Sequence, residues 1–282
     1  MQVIIGFIIV FGCVLAGFLE AHGKVAALWQ PAEMIIIIGA AVGAMVVANP
    51  AYVLKNILVR IKMLFGKSYN KDFFKSLLEL MYELLEVVRK DGIKKLDDHI
   101  ENPTGSDIFT RYPDVLKSNV MLAFITDNLR MMAMGKMSHH DLEAALEMEI
   151  EALEEDLMRP SRAIGKTGEA MPGFGIVAAV LGIVVTMQNI GGPLTMIGVK
   201  VAAALVGTFI GVLMSYGVFD PLSSSIAGLV HKEIMGLRMV SAVLVAQVQG
   251  KPTILALDAG RKLLHSEYKP TFVEMEGWMA RD

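Results

Sequence analysis

The chain has 282 residues, of which 54% are apolar and 20% are charged, and its formal net charge is -3. This apolar fraction is high for a soluble domain and is typical of several membrane spans joined to a substantial polar part. The nearly neutral charge gives no support for binding to nucleic acid. The single cysteine excludes an intrachain disulfide.

Four segments are long and apolar enough to cross a lipid bilayer. Each has about 15 to 19 strongly apolar residues, and each must be helical because an extended segment leaves backbone groups unpaired in lipid. The predicted spans are Val3–Leu19, Met34–Ala48, Phe174–Ile190 and Val201–Phe219. Short connections at 20–33 and 191–200 join them into two hairpins. The sequence therefore predicts an all-α integral membrane protein.

The spans divide the chain into four predicted segments. The hairpins occupy residues 1–49 and 172–220, a large helical domain occupies 50–171, and a helical tail occupies 221–282. Within the two short connections only Lys24 and Lys200 are basic. Many basic residues lie where the spans meet the domain and the tail: Lys55, Arg60, Lys62, Lys67, Arg159, Arg162, Lys166, Lys232 and Arg238. Because basic residues mark the cytoplasmic side, the domain, the tail and both termini are predicted to be cytoplasmic.

The polar domain is predicted to be helical. Apolar residues between Asp72 and Arg89 recur at helical spacing, with Asn70 as the N-cap and Gly92 at the end. A second helix is predicted to begin after Ser138, whose hydroxyl caps it while Asp141 completes a box-like start. Its glutamates are interpreted as a solvated face: Glu143, Glu147, Glu151, Glu154 and Glu155.

No motif of enzyme chemistry is found in the sequence. It contains no phosphate-binding glycine loop, no nucleophile elbow and no paired-histidine protease motif. His139 and His140 are adjacent, and adjacent side chains on a helix diverge by about 100°, so they do not form a metal site. We therefore expect no enzyme activity, no catalytic residue and no metal.

Two glycine pairs have the four-residue spacing that lets helices approach closely in membranes. Gly39 and Gly43 lie in the second span, and Gly207 and Gly211 lie in the fourth. Packing within one subunit and packing between the subunits of a ring both remain open for these pairs.

The third and fourth spans contain polar groups but no Asp, Glu, Lys, Arg or His. Their uncharged polar residues include Thr186, Gln188, Thr208, Ser215 and Tyr216. Such a pair of helices can line a polar seam, but neither helix supplies a group that holds and releases a proton. If the protein moves ions, the titrating acid must come from another chain. Pro172 and Pro221 bracket the two spans, either as helix boundaries or as a hinge.

Positively and negatively charged residues lie close together in the stretch from Arg89 to Asp98. One interpretation is a soluble surface near the membrane. The other is an electrostatic docking surface for a charged partner that binds and releases quickly. Exposed ion pairs suit the second task, because each contributes about 0–1 kcal/mol yet steers encounter.

Several motifs, in order along nearly the whole chain, closely resemble the MotA family of bacterial flagellar stator subunits, within the MotA/TolQ/ExbB proton-channel superfamily. The matching motifs are Trp29–Glu33, Ile100–Pro103, Pro172–Val180, Val206–Phe209, Tyr216, Pro221 and Gly260–Lys262. The resemblance implies a pentameric ring in the bacterial inner membrane around a dimer of MotB. A MotB helix would donate the ion-binding aspartate, and ion flow would drive the ring against the rotor protein FliG.

The resemblance also implies residue roles. Arg89 matches the basic rotor-contact residue, and Asp97 stands where an acidic partner, more familiar as glutamate, is found. Lys90 and Lys94 belong to the same predicted rotor contact. Pro172 and Pro221 match coupling prolines. The predicted ion path comprises Ala179, Thr208, Thr186 and Tyr216.

The residue at position 179 bears on the coupling ion. Sodium-type relatives tend to carry threonine at the place of Ala179, so alanine favours protons over sodium as the coupling ion. No resident cofactor is expected.

The alternative function is an ExbB/TolQ-like energiser of outer-membrane processes. Proteins of that class have three spans, so the leading hairpin speaks against it. A structural scaffold without ion flux is the third hypothesis.

Overall fold

The computed structural model describes residues 2–66, 69–135, 137–188 and 191–280. The end of the predicted third span, Asn189 and Ile190, and the basic residue Lys67 lie outside the described residues. Within those ranges the chain is helical and contains no strand. The predicted all-α class is therefore confirmed.

Thirteen α-helices follow one another in the described part of the chain. Those of the first half are α1 (Gln2–Glu20), α2 (Pro31–Met34), α3 (Ala40–Ala48), α4 (Ala51–Leu64), α5 (Lys71–Asp91), α6 (Asp97–Glu101), α7 (Pro113–Leu116) and α8 (Asn119–Met134). Those of the second half are α9 (His139–Met187), α10 (Leu194–Met214), α11 (Asp220–Val248), α12 (Thr253–Arg261) and α13 (Phe272–Met279). Two π-helical turns, Ile35–Gly39 and Ser215–Phe219, join α2 to α3 and α10 to α11.

Four helical stretches are long and apolar enough to cross a membrane, as predicted. They are Gln2–Glu20, Val25–Ala48, His139–Met187 and Leu194–Val248. No residue of α1 is buried in the single chain, which leaves its apolar surface for lipid or for another subunit. The fourth span begins earlier than predicted, because Pro193 caps α10 and the apolar residues after it continue the helix. Lys200 thus lies within the helix and not in the connection.

Pro172 does not mark a helix boundary, so that interpretation is wrong for it, whereas Pro221 lies in the first turn of α11. Helix α9 runs for 49 residues through both Pro160 and Pro172. Pro221 is the second residue of α11, directly after the π-helical turn that continues α10. Proline leaves one carbonyl of the preceding turn without its helical partner, and surrounding packing must hold such a helix together. The predicted segment limits at 171/172 and 220/221 therefore fall inside continuous helices.

Two compact units divide the chain. The first comprises Met1–Gly66 and Met158–Gly228, and the second comprises Lys67–Leu157 and Leu229–Asp282. In the first unit, one buried cluster consists of Ile37, Ala41, Met171, Ala178 and Ile210. A second buried cluster consists of Val53, Ile57, Ala163, Ile164 and Ile226. The first cluster joins the first hairpin to the second, and the second cluster joins α4 to α9 and α11.

The second unit is built around the apolar face of α5. The Asn70 side chain accepts a hydrogen bond from the Phe73 amide at 2.9 Å, and Gly92 ends the helix with φ +82°. The predicted cap and end are thus confirmed. At the start of α9, the Ser138 hydroxyl accepts from the Asp141 amide at 3.1 Å. The glutamates that follow are mostly exposed, as predicted, and Leu142, Leu146 and Ile150 form the buried face of the helix.

Candidate functional site

The third and fourth spans meet through glycines at backbone contact. A Cβ placed on Gly175 would lie 3.0 Å from the Gly207 carbonyl oxygen, and one placed on Gly211 would lie 2.7 Å from the Met171 carbonyl oxygen. Only residues without a side chain fit such a contact. The pair Gly207 and Gly211 therefore packs within one subunit.

The other glycine pair, Gly39 and Gly43, has no close packing partner among the described residues of the single chain. A Cβ on Gly39 or Gly43 would meet nothing within 4 Å in the single chain, and both residues are exposed. Packing within the subunit is thus not their role, whereas packing between subunits stays a prediction.

One of the four predicted ion-path residues is shown at the contact between α9 and α10: a Cβ on Gly175 would lie 3.2 Å from the Thr208 Cα. Ala179 is half-buried and follows Ala178, whose Cβ would lie 3.3 Å from a Cβ on Gly207. Thr186 is fully buried, and its hydroxyl donates to the Gly182 carbonyl at 2.7 Å. Tyr216, by contrast, is 70% exposed in the π-helical turn. The structure thus places Thr208 in the seam and Ala179 and Thr186 next to seam residues of α9, and it leaves Tyr216 at the surface of the chain.

A carboxyl group lies against the same two helices. Glu33 is only 7% exposed, and its Oε2 lies 2.9 Å from where a Cβ of Gly207 would be. Its Oε1 lies 3.4 Å from the corresponding position of Gly182. Sequence reasoning missed this group because the second span was started at Met34 and acids were sought only in the third and fourth spans. The available signal was an acid two residues after Pro31, inside the first turn of an apolar helix.

The two predicted coupling prolines lie near a second close contact. A Cβ on Gly168, one turn before Pro172, would lie 2.7 Å from the Cβ of Phe219, two residues before Pro221. Ser161, two turns before Gly168, and Ser223, two residues after Pro221, exchange hydrogen bonds: each hydroxyl donates to the other residue's carbonyl, at 2.8 and 2.9 Å. We call this pair the serine clasp. It joins α9, directly after Pro160, to the first turn of α11.

The predicted rotor-contact residues lie on the surface of the second unit. Arg89 is 57% exposed and pairs with Glu86, whose side chain is only 16% exposed, at 2.6 Å. Lys90 lies 3.8 Å from the same carboxylate, and the Thr253 hydroxyl of α12 donates to it at 2.9 Å. The hydrogen bond from Arg89 is the main reason that the pKa of Glu86 lies below its usual range.

The remaining two rotor-contact residues do not join this cluster. Lys94 and Asp97 are both exposed, and the turn at Gly92 separates them from Arg89 along the chain. Among the described ion pairs, none links Arg89 to Asp97.

A further cluster, not anticipated from the sequence, lies one turn earlier on α5. Glu83 accepts from the Tyr112 hydroxyl at 2.6 Å and pairs with Arg111 at 2.6 Å. Burial, followed by the hydrogen bond to the negatively charged Glu83, raises the pKa of Tyr112 far above its usual range. Glu83, Arg111 and the Glu86 cluster line a common open groove. Periodicity alone did not reveal it, because the partners are about 30 residues apart.

These features define a class: a helical membrane protein with four membrane-capable stretches, a close-packed seam between the third and fourth of them, and a second unit with a charged surface. Residues 4–92 match the family described as Motility protein A N-terminal, and residues 116–239 match the MotA/TolQ/ExbB proton channel family. The chain is 48% identical over 281 residues to chemotaxis protein LafT of Vibrio parahaemolyticus, covering 99% of both chains. It is 36% identical over 277 residues to motility protein A of Salmonella typhimurium, covering 98% of this chain and 94% of the relative.

Two solved structures share the fold. One is titled MotAB of C. jejuni, with a TM-score of 0.76 and 16% identity, covering 94% of this chain and 96% of that one. The other is the flagellar MotAB stator complex of Bacillus subtilis, with a TM-score of 0.72 and 21% identity, covering 97% and 98%. The chain belongs to the motility protein A family, the stator subunits of the bacterial flagellar motor. The resemblance inferred from the sequence is thereby confirmed.

Proposed function

We propose that this stator subunit conducts protons together with a MotB partner and converts that flow into force on the rotor protein FliG. The partner would supply the acid that takes up and releases the proton at the seam. A pentameric ring of this chain in the bacterial inner membrane would surround the partner's helices. The soluble unit and both termini would face the cytoplasm.

The observation that carries this proposal is the seam itself. From Phe174 to Gln188 the third span has no ionisable side chain, and helix α10 of the fourth has only Lys200, near its start. The backbone contact at Gly175, Gly207 and Gly211 fixes the two helices against each other. Such a pair offers a fixed wall along which a partner helix carrying an acid can be placed.

Coupling to the rotor is supported by helix continuity. The apolar parts of α9 and of the α10–α11 stretch continue without a break in the chain into segments of the second unit. One elementary charge crossing the membrane releases about 2.3 kcal/mol per 100 mV. Exposed ion pairs contribute about 0–1 kcal/mol each, so this energy suffices to exchange contacts at Arg89 and its neighbours.

A deletion strain tests the proposed function. Cells that lack the gene should assemble filaments but not swim, and re-expression of the chain should restore swimming. Normal swimming in the deletion strain contradicts the proposal. In a parallel experiment, the chain is expressed with a MotB partner from which the segment that plugs the channel has been removed. The cytoplasm should then become more acidic, whereas the hypothesis of a structural scaffold predicts an unchanged cytoplasmic pH.

The coupling ion is tested separately. Alanine at position 179 supplies no oxygen ligand, and sodium needs several, so protons are the favoured ion. A protonophore should stop swimming, while removal of sodium should not. The opposite result assigns sodium as the ion.

The ExbB/TolQ-like alternative is disfavoured by one finding. The match to the motility-specific N-terminal family covers the first hairpin, and this hairpin contributes Ile37 and Ala41 to the buried cluster with the second hairpin. A three-span energiser has no such element. If Arg89→Glu impairs an import process and leaves motility intact, the alternative is correct.

A further inference from the structure

One carboxylate oxygen of Glu33 lacks a hydrogen-bond partner within the part of the chain that the structure describes. Its Oε2 is buried and accepts no hydrogen bond from any described residue. The carboxyl lies against Gly182 and Gly207 of the seam, neither of which has a side chain that could donate a hydrogen bond. A buried polar group normally has a hydrogen-bond partner, so an unsatisfied one in a native fold calls for an explanation.

The helices that pack against Glu33 also supply no countercharge. In the apolar part of α9, from Phe174 to Met187, no residue is ionisable. On α10 and the π-helical turn that follows it, the titratable groups are Lys200 and Tyr216. Neither forms an ion pair or hydrogen bond with Glu33 among the described contacts. A carboxylate in such apolar surroundings requires a cation or a proton.

The position of Glu33 coincides with the predicted ion path. Gly182 follows Ala179 by three residues and precedes Thr186 by four, so these residues share one face of α9. The Thr186 hydroxyl donates to the carbonyl of Gly182 itself. On the other side of the carboxyl, Gly207 directly precedes Thr208. The two glycines leave the space that the carboxyl fills.

We propose that Glu33 is a proton-binding carboxyl of this chain within the conduction path. Its carboxylate takes up one proton, holds it as a neutral acid, and releases it to the next acceptor, which regenerates the carboxylate. This inference rests on the proposed function, in which that acceptor is the partner's acid. It revises the expectation that every titrating group comes from another chain.

The test compares matched variants in the cytoplasmic acidification assay with the unplugged partner. Glu33→Gln keeps the size and polarity of the side chain but cannot bind and release a proton, and Glu33→Asp keeps the acid on a shorter side chain. Glu20→Gln is the control, because Glu20 is an exposed carboxyl at the end of the first span. We expect Glu33→Gln to lower the proton flux at least tenfold at equal membrane content. Glu33→Asp should retain more flux than Glu33→Gln, and Glu20→Gln should match the wild type.

The outcomes separate this inference from the proposed function. If Glu33→Gln, present in the membrane and bound to the partner, conducts as well as the wild type, Glu33 has a packing role only and the inference is wrong. If the wild-type chain itself conducts no protons with the partner, the proposed function fails. A packing role also predicts that the shorter Glu33→Asp is more damaging than Glu33→Gln, the reverse of our expectation.

A second measurement applies if Glu33→Gln is lost from the membrane. Dicyclohexylcarbodiimide adds to protonated carboxyl groups in apolar surroundings and forms a stable N-acylurea without a leaving group. In the wild-type complex, mass spectrometry should detect the adduct on the peptide that contains Glu33, and not on the peptide that contains Glu20. An unmodified Glu33 in a complex whose partner acid is modified overturns the inference.

Discussion

The seam in the first unit and the charged surface in the second unit use opposite physical means. At the seam, helices meet at backbone distance, and a single methyl group at Gly211 would collide with the Met171 carbonyl oxygen. On the charged surface, Arg89 and Lys90 are exposed and share one carboxylate. The seam depends on close packing at glycine, where any added side chain collides with the facing helix. The surface depends on exposed charges, whose interactions are screened by solvent. We expect single substitutions to be severe in the first region and graded in the second.

The largest effect is expected for Gly211→Val. Its side chain meets the backbone of α9, which cannot move aside as a flexible side chain can, and overpacking typically costs about 1–3 kcal/mol. The variant should lose motility and partner binding, and its thermal midpoint in detergent should fall by several degrees. Gly173→Ala is the matched control, since a Cβ there meets nothing within 4 Å. Equal loss in both variants contradicts the proposed contact.

A smaller but functionally selective effect is expected for Arg89→Glu. Reversal of an exposed charge should reduce swimming speed several-fold by weakening the rotor contact, while proton flux with the unplugged partner stays at the wild-type level. Lys117→Glu, an exposed reversal elsewhere in the second unit, should swim normally. A parallel loss of flux in Arg89→Glu shows that the two regions are not separable in this way.

Ser223→Ala is expected to have an intermediate effect on swimming speed under load. It removes the hydroxyl that donates to Ser161 and leaves the Ser161 hydroxyl its carbonyl acceptor. Loss of one such hydrogen bond costs about 1 kcal/mol, so flux should persist while speed under load declines. Ser224→Ala, the exposed neighbour, serves as the control. Identical speed–load curves for the two variants exclude a mechanical role for the serine clasp.

The sequence predicted some parts of the fold well because their causes are local. The four spans, the Asn70 cap and the solvated glutamates of α9 follow from hydrophobic length and helical period. The passage of α9 through Pro172 was not predictable, because tertiary packing, such as the contact of Gly168 with Phe219, overrides the local effect of proline. Glu33 was missed for the same reason. Its environment is made by Gly182 and Gly207, which are about 150 and 175 residues away in the chain.

The smallest effect is expected for Glu86→Gln, and its sign follows from the lowered pKa of Glu86. The Arg89 hydrogen bond holds this pKa below the ordinary value, so ionised Glu86 stabilises the folded state. This stabilisation is fully present when the pH is above the pKa of Glu86 in the unfolded state. That stability is lost as the pH falls through the folded-state pKa. The thermal midpoint of the wild-type complex should therefore fall between about pH 5 and the lowest pH tolerated, and Glu86→Gln should flatten part of this fall.

The surface position of Arg89 limits the size of that change. Its ion pair with Glu86 is screened on the solvent side, so we expect about 1 kcal/mol or less at neutral pH, a shift of only a few degrees. Glu276→Gln on α13, an exposed carboxylate, is the control and should follow the wild-type curve. An unchanged pH profile in Glu86→Gln means that Arg89 is not held by this carboxylate in solution. In that case, the charged surface is even less pre-ordered than the seam.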